Sequence, residues 1–210
     1  MSFAKKTFQQ IERLTTSLIE VSLCDDQNAP VKLPNVPSWD TCRIDLPVTE
    51  VSIALRNIPY DKLYGEMNKR RIFTYKLIDG ALLSLQYDFF NGVLNRHRLG
   101  YYPNPNLLSF QENEDLYSLD DIYLDIIDRR IVIVPIRFDY DCSDDTYEEI
   151  EHPKSHFTLG QFENCRIPVS RPLTPCQFVH FILRNFYHHA YTKYKDKLFD
   201  SNDYCFDETD

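Results

Sequence analysis

Residues 72–102 constrain the fold of this chain more than any other stretch. Three runs rich in apolar residues, 72–78, 81–90 and 93–102, are separated only by Asp79-Gly80 and Asn91-Gly92. Asp-Gly and Asn-Gly supply the positive φ angles that tight hairpin turns need, so the spacing predicts a three-stranded antiparallel meander. Two-residue turns would place Arg71 opposite Asp88, Phe73 opposite Gln86, Asp88 opposite Asn95 and Gln86 opposite His97. Because side chains alternate along a strand, that register gathers them on one face. Phe73, Leu77 and Leu82 would hold one end, and Arg71, Gln86, Asp88, Asn95 and His97 the other. A solvated sheet end with cross-strand pairs accounts for such a polar group, and so does a functional site. A one-residue bulge would dissolve it.

Around this meander the chain predicts an α+β fold: an antiparallel sheet of five or more strands, one face covered by an N-terminal and a C-terminal helix, in one domain spanning 1–210. Phe8, Ile11, Leu14, Leu18 and Ile19 fall three or four apart in an amphipathic helix over 3–23. Pro30, Pro34 and Pro37 make 25–38 an irregular connector. A short strand is expected over 51–55, and a helix over 60–69 with Leu63, Tyr64 and Met67 inward. Residues 103–111 read as a loop, and 131–140 as a strand that Pro135 demotes to an edge or marks as bulged. Another short strand falls near Arg166. Thr174-Pro175-Cys176-Gln177 carries the cap, the N1 proline and the capping-box glutamine of a helix running to about Ala190, with Phe178, Phe181, Ile182 and Phe186 buried. The acidic tail 200–210 is expected to fray.

Composition excludes several function classes. No apolar run approaches the ~20 residues of a membrane span, and the start, Met1-Ser2-Phe3-Ala4-Lys5-Lys6, has no signal-peptide core. Six scattered cysteines without a C-x-x-C pair argue against a zinc knuckle or a disulfide scaffold, and predict reduced thiols in the cytoplasm. A net charge of −9 disfavours nonspecific nucleic-acid binding, though the acids cluster and leave room for a local basic groove.

The polar residues that stand out follow the most acidic loop. His152-Pro153-Lys154-Ser155-His156 places two of the six histidines four apart. In an extended strand they would stand ~13 Å apart, too far for one ion; a turn through Pro153-Lys154-Ser155 would bring the rings together. A shared divalent metal would then need a further ligand such as Asp139 or His97. His156-Phe157-Thr158 has the spacing of half a two-histidine phosphoesterase site, but no other histidine is followed two residues on by a hydroxyl suited to the second half. An acid/base or anion site asks for less geometry: His152 or His156 as base, with Arg137, Arg166 or Arg171 gripping an anion bidentately. A nucleotide or nucleic-acid end is the natural ligand. No P-loop, Rossmann fingerprint, H-E-x-x-H or G-x-S-x-G is present.

Several segments together resemble the bacterial family of proteins known as domain of unknown function 2290. They are Asp79-Gly80-Ala81-Leu82-Leu83 with Tyr87; His97-Arg98-Leu99-Gly100-Tyr101-Tyr102-Pro103-Asn104-Pro105; and Pro135-Ile136-Arg137-Phe138-Asp139-Tyr140. His152-Pro153-Lys154-Ser155-His156 with Gly160, Arg166-Ile167-Pro168, Thr174-Pro175 with Phe178, and Phe186-Tyr187 complete the set, over about 60–190. The resemblance implies a cytoplasmic bacterial protein of one domain and carries no assigned activity. It also implies that His97, Arg98, Arg137, Asp139, His152, His156 and Arg166 belong to one site, because they fall at the family's motif positions. Two functions fit the chain. One is a binding or accessory module of a larger bacterial system, using the aromatic-rich sheet face and the acidic loop, with a protein partner and no membrane. The other is a hydrolase acting on a phosphoester or nucleotide, with His152, His156, His97 and Asp139 at the reaction centre and Arg137, Arg166 and Arg98 on the anion.

Overall fold

The structure is a computed structural model that describes residues 1–46, 58–106, 134–143, 147–148, 152–162, 165–199 and 204–209. The strand expected over 51–55 lies outside them. Helix α1 spans Phe3–Glu20, capped by the Ser2 side chain, and turns Ala4, Thr7, Gln10, Ile11, Leu14 and Leu18 inward. Two short strands, β1 (Cys24–Gln27) and β2 (Val31–Leu33), occupy much of the segment expected to be irregular. The prolines permit this because Pro30 and Pro34 flank β2 instead of interrupting it, and among the described residues β2 pairs on one side only, with β3 (Cys42–Asp45). Helix α2 is Tyr60–Lys69 and buries Leu63, Tyr64 and Met67, as their spacing predicts.

The meander forms with a different register. Strand β4 is Tyr75–Leu77, β5 is Leu82–Phe90 and β6 is Val93–Tyr102. The first turn has three loop residues, Ile78-Asp79-Gly80, closed by Gly80 N–H to the Leu77 carbonyl and Leu77 N–H to the Ala81 carbonyl, both 2.8 Å. Gly80 takes the left-handed conformation at φ +84° that such a loop places at its last position. Lys76 therefore pairs with Leu82 and Tyr75 with Leu83, one residue out of the expected step. Arg71 pairs instead with the Asp26 carboxylate, 2.9 Å from its second oxygen, away from Asp88. The second turn keeps its two residues, with Phe90 opposite Val93, but a bulge follows at once. Phe89 faces Leu94 while Asp88 faces Arg96, so Asn95 is the extra residue.

Strands β7 (Ile136–Asp141), β8 (Ser155–Leu159) and β9 (Arg166–Pro168) continue the sheet. All pairings are antiparallel, in the order β1-β4-β5-β6-β7-β8-β9, with β3 adding to β5 and β2 to β3. Strand β7 is central, not an edge: Pro135 precedes its first residue, so the missing N–H falls outside the β6 and β8 ladders. Helix α3 (Pro175–Phe186) starts at the predicted capping box, with Thr174 and Gln177 bonding reciprocally at 3.0 and 3.3 Å. It ends four residues before Ala190. Tyr187 breaks it at φ −134°, ψ 57°, and α4 (His188–Leu198) follows.

Register alternation gives the sheet two unlike faces. One carries Leu83, Leu85, Tyr87, Leu99, Tyr101, Ile136 and Phe138 into a core shared with α1, α3 and α4. At the end of the other face, Phe73, Leu82 and Tyr102 pack under α2 against Leu63, Tyr64 and Met67. The fold is thus α+β, with the N- and C-terminal helices on one side. Among the described residues no helix is long and apolar enough to cross a membrane.

Candidate functional site

The bulge at Asn95 decides which polar residues meet. Beyond it, Gln86 faces Arg98 and Tyr87 faces His97. Arg98 therefore joins Gln86 on the α2 side of the sheet, and His97 turns into the helix-covered core. Across β6 and β7, Arg98 stands opposite Asp139 and Gly100 opposite Arg137. Across β7 and β8, Asp139 stands opposite His156 and Arg137 opposite Thr158, and beyond them Thr158 faces Arg166 and His156 faces Pro168. Two rows of polar side chains thus cross the sheet: Gln86, Arg98, Asp139 and His156 in one, and Ser84, Arg137, Thr158 and Arg166 in the other, with Gly100 between Ser84 and Arg137. Asp45 of β3 extends the first row, accepting a 3.0 Å hydrogen bond from Gln86 Nε2; burial raises its carboxyl pKa.

This strip has distinct borders. On one side Arg43 pairs with Asp88 at 2.6 Å and Arg96 with Asp141 at 3.0 Å, both part-exposed. On the other lies the apolar cluster under α2. Gly100 is needed at that border, since a side-chain carbon there would come within 2.5 Å of the Tyr102 ring and 2.7 Å of its hydroxyl. The ring lies over Gly100, beside Arg137, and its burial pushes the phenol up to about 12.

Inside the strip the ionic contacts are long. Asp139 Oδ1 is 3.4 Å from Arg98 Nε, and Oδ2 is 3.3 Å from an Arg137 terminal nitrogen and 3.9 Å from His156 Nε2. His156 Nδ1 lies 2.9 Å from the Pro153 carbonyl, which can only accept, so Nδ1 carries the ring proton. Burial lowers the His156 pKa, while the Pro153 carbonyl and the Asp139 carboxylate oppose that shift. The turn at Pro153 brings His152 alongside, ring centroids 5.3 Å apart. Four buried side-chain atoms have no hydrogen-bond partner among the described residues: Arg137 Nε and Thr158 Oγ1 on the strip, and His97 Nδ1 and Ser155 Oγ on the opposite face.

Of the seven residues expected at one site, six share this region: Arg98, Arg137, Asp139, His156 and Arg166 on the strip, and His152 at its edge. His97 does not. Its Nε2 accepts the Leu173 N–H at 3.0 Å, its ring meets Tyr87 and Tyr140, and burial holds its pKa down from 6.5 to about 4. Arg171 is also elsewhere, paired with Glu208. Among the described residues no group of three or more His, Cys, Asp or Glu side chains is arranged to hold a metal ion. Thr158, Asp45 and Tyr102 join the expected set. The His156-Phe157-Thr158 spacing signals Thr158; no local signal marks Asp45, whose neighbours come from β5.

A family model described as Uncharacterized conserved protein (DUF2290) matches residues 23–209. The chain belongs to this family. The DUF2290 match reaches well beyond the 60–190 stretch that carries the motifs, and takes in every strand of the sheet, α2 and every residue of the strip. Helix α1 precedes it. No curated protein and no solved structure matches the chain.

Proposed function

We propose that this protein is a binding module, an accessory component that works with a protein partner in a larger bacterial system, and that its polar strip takes an anionic ligand. One observation carries the reading: Arg137 Nε and Thr158 Oγ1 face each other across β7 and β8, buried, with no acceptor among the described residues. A buried donor without a partner costs about 1–3 kcal/mol, more when charged, so a strip holding two of them asks for an oxygen-rich anion. Six free thiols support a reducing, cytoplasmic setting. The test is calorimetric titration of wild type and Arg137→Gln with inorganic phosphate, sulfate and citrate. Saturable binding to wild type that the variant weakens at least about tenfold is expected; equal heats from both proteins would overturn the reading.

A second reading, hydrolysis of a phosphoester or nucleotide, draws on the His156 tautomer. The Pro153 carbonyl fixes Nδ1–H and leaves Nε2 free to take a proton from water, with Asp139 3.9 Å away. Turnover of p-nitrophenyl phosphate or a nucleotide, lost in His156→Gln with binding retained, would favour this reading. Binding without turnover in wild type would leave the binding module.

A further inference from the structure

We propose that the anion is a terminal phosphate, the dianionic end of a phosphomonoester entering end-on; this rests on the anion-binding reading above. The juxtaposition that carries it is the Arg137–Thr158 pair beside Gly100, over which the Tyr102 ring lies. Thr158 is 6% exposed, and its Oγ1 and Arg137 Nε have no acceptor among the described residues. Both atoms are sealed from solvent, so a ligand reaches them only as a neighbouring side chain turns aside, which admits a narrow tip before a flank.

The number of acceptors narrows the class. Arg98 comes from β6, Arg137 from β7 and Thr158 from β8, so donors converge from three adjacent strands. A phosphomonoester presents three terminal oxygens, one for each. A diester keeps two, and its chain continues on both sides of the phosphorus. A carboxylate offers two oxygens in one plane. The 3.4 and 3.3 Å contacts to Asp139 are longer than good charge-assisted bonds, which leaves Arg98 and Arg137 able to turn toward an incoming anion.

Overall charge argues the same way. A nucleic-acid backbone brings roughly one negative charge per 1.7 Å of duplex, and a chain of net charge −9 repels that long-range field. A single terminal phosphate concentrates its charge where the guanidiniums are, and it has to displace Asp139 from its 3.3 and 3.4 Å contacts with them. Asp45 in the same strip opposes a second phosphate beside it. A mononucleotide and the end of a nucleic-acid strand share this chemistry.

Calorimetry with AMP, cyclic AMP, inorganic phosphate and acetate decides the class, because cyclic AMP keeps the base and sugar and differs in having a diester. AMP and phosphate should bind, cyclic AMP and acetate about tenfold more weakly or worse, and Thr158→Val should weaken AMP about tenfold while Thr158→Ser does not. An oligonucleotide with a terminal phosphate, compared with the same strand lacking it, separates the sources. Preference for the phosphorylated strand over AMP assigns a nucleic-acid end, and parity assigns a mononucleotide. Equal binding of AMP and cyclic AMP, or tighter binding of acetate, would overturn the terminal-phosphate assignment while leaving an anion site. No binding of any probe would overturn both.

Discussion

At the scale of single residues, His97 and Thr158 are buried polar groups that each keep one atom without a partner among the described residues, Nδ1 in His97 and Oγ1 in Thr158. His97 is satisfied at Nε2 by Leu173 and stays neutral in the folded protein, with its pKa lowered from 6.5 to about 4 by burial. The unfolded chain binds a proton there below pH 6.5 and the folded one does not until about pH 4. The stability it contributes is therefore complete above pH 6.5 and falls as pH drops toward 4, by up to about 3 kcal/mol. His97→Gln, which keeps an acceptor for Leu173, should flatten that part of the pH dependence in urea unfolding; an unchanged slope would contradict the assignment. Thr158 Oγ1 has no partner to lose among the described residues, so Thr158→Val should leave the Tm unchanged or raise it. Thr174→Val, which removes the α3 cap, should cost about 1 kcal/mol. A large loss for Thr158→Val would mean that the hydroxyl is structural and would weaken the case for a ligand. Both residues are polar in sequence, and nothing local tells that His97 turns to the helix-covered core and Thr158 to the strip.

Individual elements were legible wherever their signals were local. The capping box at Thr174, the inward stripe of α2 and the Asn-Gly turn all stand where the sequence places them. What failed was set by contacts distant in sequence. The apolar pattern of α3 runs on past Phe186, yet the helix stops because Tyr187 turns inward, donating to Asp79 Oδ2 at 2.6 Å beside the Tyr101 hydroxyl at 3.3 Å. Asp79 is raised in pKa by burial, with Tyr187 as its side-chain donor. Tyr187→Phe should therefore destabilise by about 1–3 kcal/mol, an effect that chemical denaturation would reveal as a lower midpoint; an unchanged midpoint would remove this account of the break. The bulge at Asn95 has no sequence signature either, and it reverses the faces of His97 and Arg98. One extra residue thus exchanges an imidazole for a guanidinium in the strip.

For the molecule as a whole, turn and helix patterns mark the class, but composition misjudges residues 204–209 of the tail. Aspartates suggested a frayed tail, yet Tyr204 bonds Thr7 at 2.6 Å, Thr209 N–H reaches the Ser170 carbonyl at 2.9 Å, and Phe206 is 5% exposed among Phe3, Tyr87 and Phe89. Two aromatics among acids suffice to anchor the segment across α1 and the sheet. Phe206→Ala should cost about 3 kcal/mol in equilibrium unfolding, whereas a frayed tail would give no change. The same architecture keeps the polar strip on the face that α1, α3 and α4 leave uncovered. The most direct test of its role is a phosphate titration followed by backbone-amide chemical shifts. Saturable shifts concentrated at Arg98, Arg137, Asp139, His156 and Thr158, and abolished in Arg137→Gln, are predicted; shifts confined to α4 around Lys193, Lys195 and Lys197, or no saturable shift at all, would contradict the account.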